Sequence, residues 1–311
     1  MTRDLPSVSV IVPIYNVEET LPITAPSWLV QGHTELLLVD DGSTDRTVEV
    51  LESLTHGYNS ARIFKHESNR GRAAARNTGI AAASGDVLLF LDADMRPEPD
   101  FVRQHALLHR DAEVIGVVSQ PALEGLDPSD PYHRYLASGR GVASVVPGQP
   151  LPFKYFIIGY TSVKADAVHM VGGFDERFTY GEDLDFAYRL ARQFQSGLRY
   201  SALPVVHHYD HGTLDDRLEK LREFGQGNLP LLLEKHPIIA KEANLDFVDY
   251  PHSSASPVGR LKRWSLSSRL AASARHLLPY TPTALSNKLL RYIMAHTVAD
   301  AYRKALSHRQ S

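Results

Sequence analysis

The chain has 311 residues, 43% of them hydrophobic and 22% charged, with a net charge of −3 and no cysteine. Its size suits one large domain or a domain with an appendage, and its composition is that of a soluble globular protein. Disulfides and thiolate metal sites are excluded, and no run approaches the ~18 apolar residues of a membrane-spanning helix. The opening residues lack the apolar core of a secretion signal, so a cytoplasmic protein is expected. The charge is unevenly spread: residues 255–311 carry ten Lys and Arg against one acid, which leaves −12 on the part before them.

The first hundred residues alternate regularly. Residues 8–12 read as a strand, followed by a turn at Pro13-Ile14-Tyr15-Asn16 and a helix over 18–30. Residues 36–39 form a second buried strand, and 45–54 a helix capped by Asp45 or Thr44. A third strand covers 62–66, an Ala-rich helix 70–83, and a fourth strand 87–91. Strands alternating with helices imply a parallel sheet covered on both faces. Beyond Phe101 the pattern loosens. A helix to His109 and a strand over 114–118 precede a long Pro/Gly-rich connection, with a helix near 132–138. The apolar segment 156–160 leads into a short helix over 164–170, a new helix opens near Glu182, and 203–207 is the last strand. Helix 214–223 and a basic helical tail broken at Pro279 and Pro282 complete the chain.

Two carboxylates, Asp92 and Asp94, follow the fourth strand at its carboxyl end, where open α/β sheets bind ligands. Alternation along an extended segment points both the same way, so they can converge on Mg2+ or Mn2+. The bland alternative is a polar strand end that starts a loop. A second acidic group opens the helix at Gly181-Glu182-Asp183-Leu184-Asp185. Asp183 shares the apolar stripe of Ala187, Leu190 and Phe194, which makes it a buried cap or a catalytic group. Asp185 falls on the polar side and can pair with Arg189 at i,i+4. Glu182 alone is what the helix dipole favours at an N-terminus.

Taken together, Val8 to Asn16, Val39-Asp40-Asp41-Gly42-Ser43-Thr44-Asp45, Asn69 to Asn77, Asp92-Ala93-Asp94, Gly172-Gly173-Phe174-Asp175-Glu176 and Gly181-Glu182-Asp183 resemble, in order and spacing, the family 2 glycosyltransferases. The resemblance covers roughly residues 7–237. It implies an α/β GT-A fold, Rossmann-like with a mostly parallel central sheet flanked by helices, and a C-terminal helical extension. Residues 1–237 would be the catalytic domain, with a donor half over 1–100 and an acceptor half over 101–237, and 238–311 the extension. The implied reaction is inverting transfer from a nucleotide-diphosphate sugar, expected to be a UDP-sugar, to an acceptor hydroxyl in polysaccharide, glycolipid or secondary-metabolite assembly. Asp183 would be the general base, with Glu182 as a further candidate, and no nucleic acid is involved.

Under that resemblance the donor side comprises Pro13, Tyr15, Asp41, Asn69, Arg72, Arg76, Asp92 and Ala93. Tyr15 can stack on the base and Asp41 can accept its imide N–H, although guanine offers a similar N–H. Arg72 and Arg76 share a helix face; either can reach phosphate, and Arg76 can equally pair with an acid near the sheet end. Asp92, Asp94 and His208 are the expected ligands of Mn2+ or Mg2+, with His211 the runner-up in a cluster that also holds His207.

Three rivals use the same residues. A haloacid-dehalogenase-type phosphatase places such an Asp pair on its first strand, whereas three strands precede it here. A nucleotidyltransferase of related fold carries a Gly-rich basic first loop, unlike Pro13-Ile14-Tyr15-Asn16. A catalytically silent sugar-binding relative would not need Asp92, Asp94 and Asp183. In the tail, Leu266, Leu270 and Leu277 stand among Lys and Arg. Either peripheral contact with the inner face of the cell membrane through 255–311 or packing of the tail as a lid or homo-oligomer contact would account for them.

Overall fold

A computed structural model describes residues 5–32, 35–139, 141–208, 212–245, 247–248 and 266–310, with side chains to 307. Two consecutive apolar runs set its centre. Strands β1 (Val8–Ile14) and β4 (Val87–Leu91) are buried at every position, as a sheet covered on both faces requires. With β2 (Glu35–Asp40), β3 (Ala61–Lys65), β5 (Met95–Pro97), β6 (Gly116–Leu123), β7 (Tyr160–Lys164) and β8 (Leu198–His208) they form an eight-stranded sheet of order β3-β2-β1-β4-β7-β6-β8-β5. The pairings from β3 to β4 are parallel, β7 runs antiparallel between β4 and β6, β6 pairs β8 in parallel, and β5 closes the edge antiparallel to β8. Pairing of β1 with β4 stops at Ile11, while pairing with β2 continues to Ile14. Pro13, which has no N–H to give a ladder, lies just past that stop.

Helices α1 (Leu21–Leu29), α2 (Thr47–Thr55) and α3 (Arg72–Ala82) connect the parallel strands. The other helices are α4 (Phe101–Leu108), α5 (Pro131–Leu136), α6 (Ala165–Met170), α7 (Glu182–Gln193), α8 (Leu214–Glu223), α9 (Leu229–Lys235), α10 (Ile239–Glu242), α11 (Ser268–Leu277) and α12 (Thr283–Gln310). The chain divides into two units, one of residues 1–124, 139–177 and 182–210, the other of 125–138, 178–181 and 211–311. The first holds the sheet and its core. The second is helical, with Leu218, Ala274, Leu278, Leu290 and Ile293 at its centre. In it α8 starts on a reciprocal cap, Thr213 Oγ1 accepting the Asp216 N–H and Asp216 Oδ2 accepting the Thr213 N–H. A π turn over Phe224–Asn228 joins α8 to α9, and its buried Asn228 holds Thr179 through both the backbone N–H (2.9 Å) and the hydroxyl (3.1 Å).

Two expectations are corrected, and two strands were not expected. The apolar segment 156–160 gives only its last residue to a strand, β7, whose Tyr160 to Lys164 pair with Leu91 to Val87. The short β5 has too few residues for alternation to show. Helix α2 begins at Thr47, two residues late, since Asp45 Oδ1 accepts the Thr47 N–H from outside the helix. Asp185 is fully buried, not on a polar face: its pair with Arg189 (2.8 Å) is present, but Arg189 also donates to the carbonyls of Val171 and Gly173 and so locks the glycine turn before α7.

Away from the strand ends, Ser162 Oγ lies 2.7 Å from His105 Nδ1 and 2.8 Å from His109 Nε2, all three buried. Burial holds both imidazoles below their ordinary range, His109 at about 4, with His109 and Lys164 adding repulsion to His105 and His109 respectively. The unfolded chain takes up these protons below about 6.5 and the folded chain does not, so stability falls between pH 6.5 and 4. Urea unfolding across that window is expected to show a loss of roughly 3 kcal/mol from His109 alone, removed in His109→Gln.

Candidate active site

The site is built from the loops at the carboxyl ends of β1, β2 and β4 and from the start of α7, all in the first unit. The first two loops are stitched together: the Asn16 N–H donates to Ser43 Oγ, Thr44 donates to Asn16 Oδ1, and Val17 donates to Thr47 Oγ1. Tyr15 is left exposed at the end of β1, while Pro13 is buried. Gly42 has a φ of +75°, and a Cβ there would stand 2.5 Å from the Ser68 carbonyl carbon. Only glycine lets this turn lie against the stretch before α3.

Asp41, buried beside it, organises that stretch. Its Oδ1 lies 2.7 Å from His66 Nδ1 and accepts the Arg70 N–H (3.0 Å), and its Oδ2 accepts the Gly71 N–H (2.8 Å). His66 is fixed in turn by Thr78 Oγ1 at 2.9 Å. A carboxylate offers about four acceptor directions, so one remains for a ligand N–H. Asn69 is exposed, with its Oδ1 accepting from Gly71.

Helix α3 then delivers Arg76, 1% exposed, into the centre of the site. Its Nη1 donates to Glu182 Oε1 (2.6 Å) and its Nη2 to Asp92 Oδ1 (2.8 Å), while the guanidinium lies 5.5 Å from the Phe174 ring centre. The alternative left open by the sequence is thereby decided: Arg76 is a buried bridge between two acids. Arg72, one turn earlier and half-exposed, has its Nε 3.6 Å from Glu182 Oε1. Burial alone would raise the Asp92 carboxyl; Arg76 and Arg72 outweigh it and hold Asp92 below the ordinary range. Glu182, a dipole-favoured acid by position and a further candidate by resemblance, is the more buried of the α7 pair, with Oε2 buried and lacking a hydrogen-bond partner.

Asp183 is partly exposed, and its Oδ1 accepts the Leu184 N–H at 2.9 Å. It is the second residue of α7, not its cap. Desolvation, then the neighbouring Glu182 charge, push its carboxyl up to about 6 against the pull of Arg72 and Arg76. Two titratable neighbours therefore separate into an anion, Asp92, and a base poised near neutral pH, Asp183.

The alternation predicted for Asp92 and Asp94 does not hold. The strand ends at Leu91, and the Met95 N–H donates to the Asp92 carbonyl (3.1 Å), so 92–95 is a tight turn. Ala93 is buried, and its carbonyl is bound by the Thr24 hydroxyl (2.8 Å). The turn sends Asp94 toward β8, where its Oδ2 lies 3.1 Å from His208 Nε2 and its Oδ1 is buried with no hydrogen-bond partner. An orphaned carboxylate oxygen beside an imidazole nitrogen is a donor set that fits Mn2+ or Mg2+. No group of three or more ligating side chains able to hold a metal occurs among the described residues. His211 lies outside them, and His207 turns away to Glu124 and Glu98.

Two residues of this site carry no sequence signal of their own. A Cβ on Gly159 would fall 2.2 Å from Asp92 Oδ2, so glycine is what admits the carboxylate there. Tyr160 is buried next to it, its hydroxyl raised by burial and by the charges of Asp92 and Asp183. Both become visible only through the pairing of β4 with β7.

The family model described as "Glycosyl transferase family 2" matches residues 9–174. The chain belongs to that family. Among curated relatives of this family 2 chain, a pre-mycofactocin glycosyltransferase of Mycobacterium tuberculosis is 29% identical over 237 residues, 74% of this chain and 48% of the relative. A validoxylamine A glucosyltransferase of Streptomyces hygroscopicus subsp. limoneus is 28% identical over 221 residues, 61% and 49% of the two chains. The chain thus spans about half the length of these relatives. Among solved structures, a mannosyltransferase from Pyrobaculum calidifontis in complex with GDP-Man and Mn2+ superposes with a TM-score of 0.62 at 22% identity, over 99% of this chain and 89% of that one. TarS 1-349 of S. aureus in complex with UDP gives 0.57 at 18% identity, over 98% and 91%. These likenesses establish the GT-A glycosyltransferase fold for the chain.

Replacing Arg76 by Met keeps most of the volume and strands two acids, Glu182 buried and Asp92 partly so. A loss of roughly 3–5 kcal/mol is expected by denaturant unfolding, restored in part by adding Glu182→Gln.

Proposed function

We propose that this glycosyltransferase is an inverting, metal-dependent enzyme that moves a sugar from a nucleotide-diphosphate donor, UDP-sugars first, to an acceptor hydroxyl. Residues 1–237 form its catalytic part and 238–311 an appended helical part. The observation that carries the reading is Asp183, a carboxyl raised to about 6 next to the Glu182–Arg76–Asp92 bridge. Asp183 takes the proton of the acceptor hydroxyl while that oxygen bonds to the anomeric carbon and the bond to the diphosphate oxygen breaks. A single displacement inverts the centre. Tyr15 stacks on the base, the remaining acceptor direction of Asp41 takes the base N–H, and half-exposed Arg72 answers charge on the diphosphate. Mn2+ or Mg2+ held by Asp94 and His208, with Asp92 contributing, would supply positive charge at the leaving phosphates. The solved relatives with GDP-Man and with UDP support testing both bases. The relatives named for pre-mycofactocin and validoxylamine A support including small-metabolite acceptors.

Asp183→Asn is expected to lower turnover by about 10²–10⁴ while leaving donor affinity unchanged by calorimetry. Near-normal turnover would remove Asp183 from the mechanism. Because the base must be ionised, kcat in the parent enzyme should rise through pH 6 and level off above it.

Donor binding is testable separately. UDP with Mn2+ should raise the melting temperature, since ligand at 100 times its Kd stabilises by about 2.7 kcal/mol. Asp94→Asn should erase the increment that depends on Mn2+. An equal increment in that variant would remove Asp94 as a ligand.

A further inference from the structure

The second unit carries a surface built from none of the candidate-site residues. Helix α11 buries Ala271 and Ala274, followed by Leu278 in the next turn. Flanking that buried face, it exposes Leu270 and Leu277, seven residues apart and therefore on one stripe. The stripe continues into Tyr280, whose ring is tilted 58° to that of His276 at 6.3 Å, and Leu285 is exposed in the first turns of α12. These four side chains are 55%, 49%, 78% and 46% exposed, although they are of types that usually seek burial.

Along α11 and the first turns of α12 the chain itself carries charge of one sign only. From Leu266 to Ala299 the sequence has no Asp or Glu, and it has Arg269, Arg275, Lys288 and Arg291. Arg275 is satisfied by Asp215 within the unit. Arg269 adjoins Leu270 on the exposed side of α11, and Lys288 lies three residues beyond Leu285 on the exposed side of α12, with Arg291 one turn further. An apolar stripe with an aromatic residue and a cationic border matches the boundary between acyl chains and anionic headgroups. It does not match a second copy of the same face, which would set like charges against each other. No helix among the described residues is long and apolar enough to cross a membrane.

We propose that α11, the turn at Tyr280 and the first turns of α12 form a peripheral docking surface for an anionic lipid bilayer. Leu270, Leu277, Tyr280 and Leu285 enter the interface, and Arg269, Lys288 and Arg291 face the headgroups. The contact is reversible and weakens with salt, because headgroup attraction is screened while apolar insertion is not.

The test is co-sedimentation of the full chain with vesicles of phosphatidylcholine alone and of phosphatidylcholine mixed equally with phosphatidylglycerol. Binding is expected to the mixed vesicles only, and to fall as salt is raised. Leu277→Glu with Tyr280→Glu should abolish it, and Lys288→Glu with Arg291→Glu should weaken it roughly tenfold or more. These positions are exposed, so melting temperature and nucleotide-sugar binding should remain those of the parent. Three outcomes overturn the proposal: no binding to mixed vesicles, equal binding to both kinds, or unchanged binding by the Leu277/Tyr280 variant. A concentration-dependent dimer abolished by the same variant would assign the surface to self-association and overturn it as well. None of these outcomes touches Asp183 or the transfer reaction.

Discussion

The site depends on placing one guanidinium where water cannot reach it. A buried, unpaired Arg is costly enough that Arg76 fixes the position of whatever neutralises it. Its partners come from two elements far apart in sequence, Asp92 at the end of β4 and Glu182 at the start of α7. Three segments are thereby tied at one point, and the tie is directional, because a planar fork donates along fixed lines. Phe174 covers one face of the guanidinium and also stacks with Phe186 of α7 at 4.4 Å, so the packing around the bridge is continuous with the core. Asp183 inherits its place from this arrangement, being the residue after a Glu182 that cannot move.

The parallel half of the fold was legible because its signals are local. Buried runs bounded by polar turns locate β1, β2 and β4, and β3 follows from its place in the alternation of strands and helices. The antiparallel half was harder. Strand β7 exists because β4 and β6 offer it two open edges, and its own sequence, Tyr-Thr-Ser-Val-Lys, alternates weakly. For the candidate site, the motif order singled out Asp41, Arg76, Asp92, Asp94, Glu182 and Asp183, and the structure ties Arg76 to Asp92 and Glu182. Their partners did not follow from order. His66 under Asp41, Gly159 against Asp92 and the orientation of His208 toward Asp94 depend on strand register and on one turn.

That turn shows where periodicity stops being informative. Two acids separated by one residue point the same way only while the chain stays extended. Once the Met95 N–H returns to the Asp92 carbonyl, the same spacing sends Asp92 to Arg76 and Asp94 to His208. Helix α7 fails a wheel argument for a related reason. Glu182 and Asp185 are buried although they are acids, because Arg76 and Arg189 arrive to neutralise them. A wheel drawn from hydrophobicity cannot contain that information, since the compensating charges lie on other segments.

The charge balance of the finished site supports the metal-dependent reading from a second direction. Asp92, Glu182 and Asp183 share two guanidiniums, Arg72 and Arg76, the latter already committed to two of the acids, while Asp94 has only His208 beside it. A diphosphate entering such a site meets a surplus of carboxylate and would be repelled by it. Half-exposed Arg72 is one answer, and a cation at the unsatisfied Asp94 oxygen is another. Burial first, and after it the neighbouring Glu182 charge, raise the Asp183 carboxyl to about 6. Under the proposed mechanism, positive charge brought in at the donor side would do two things at once: admit the diphosphate and favour the ionised form of Asp183.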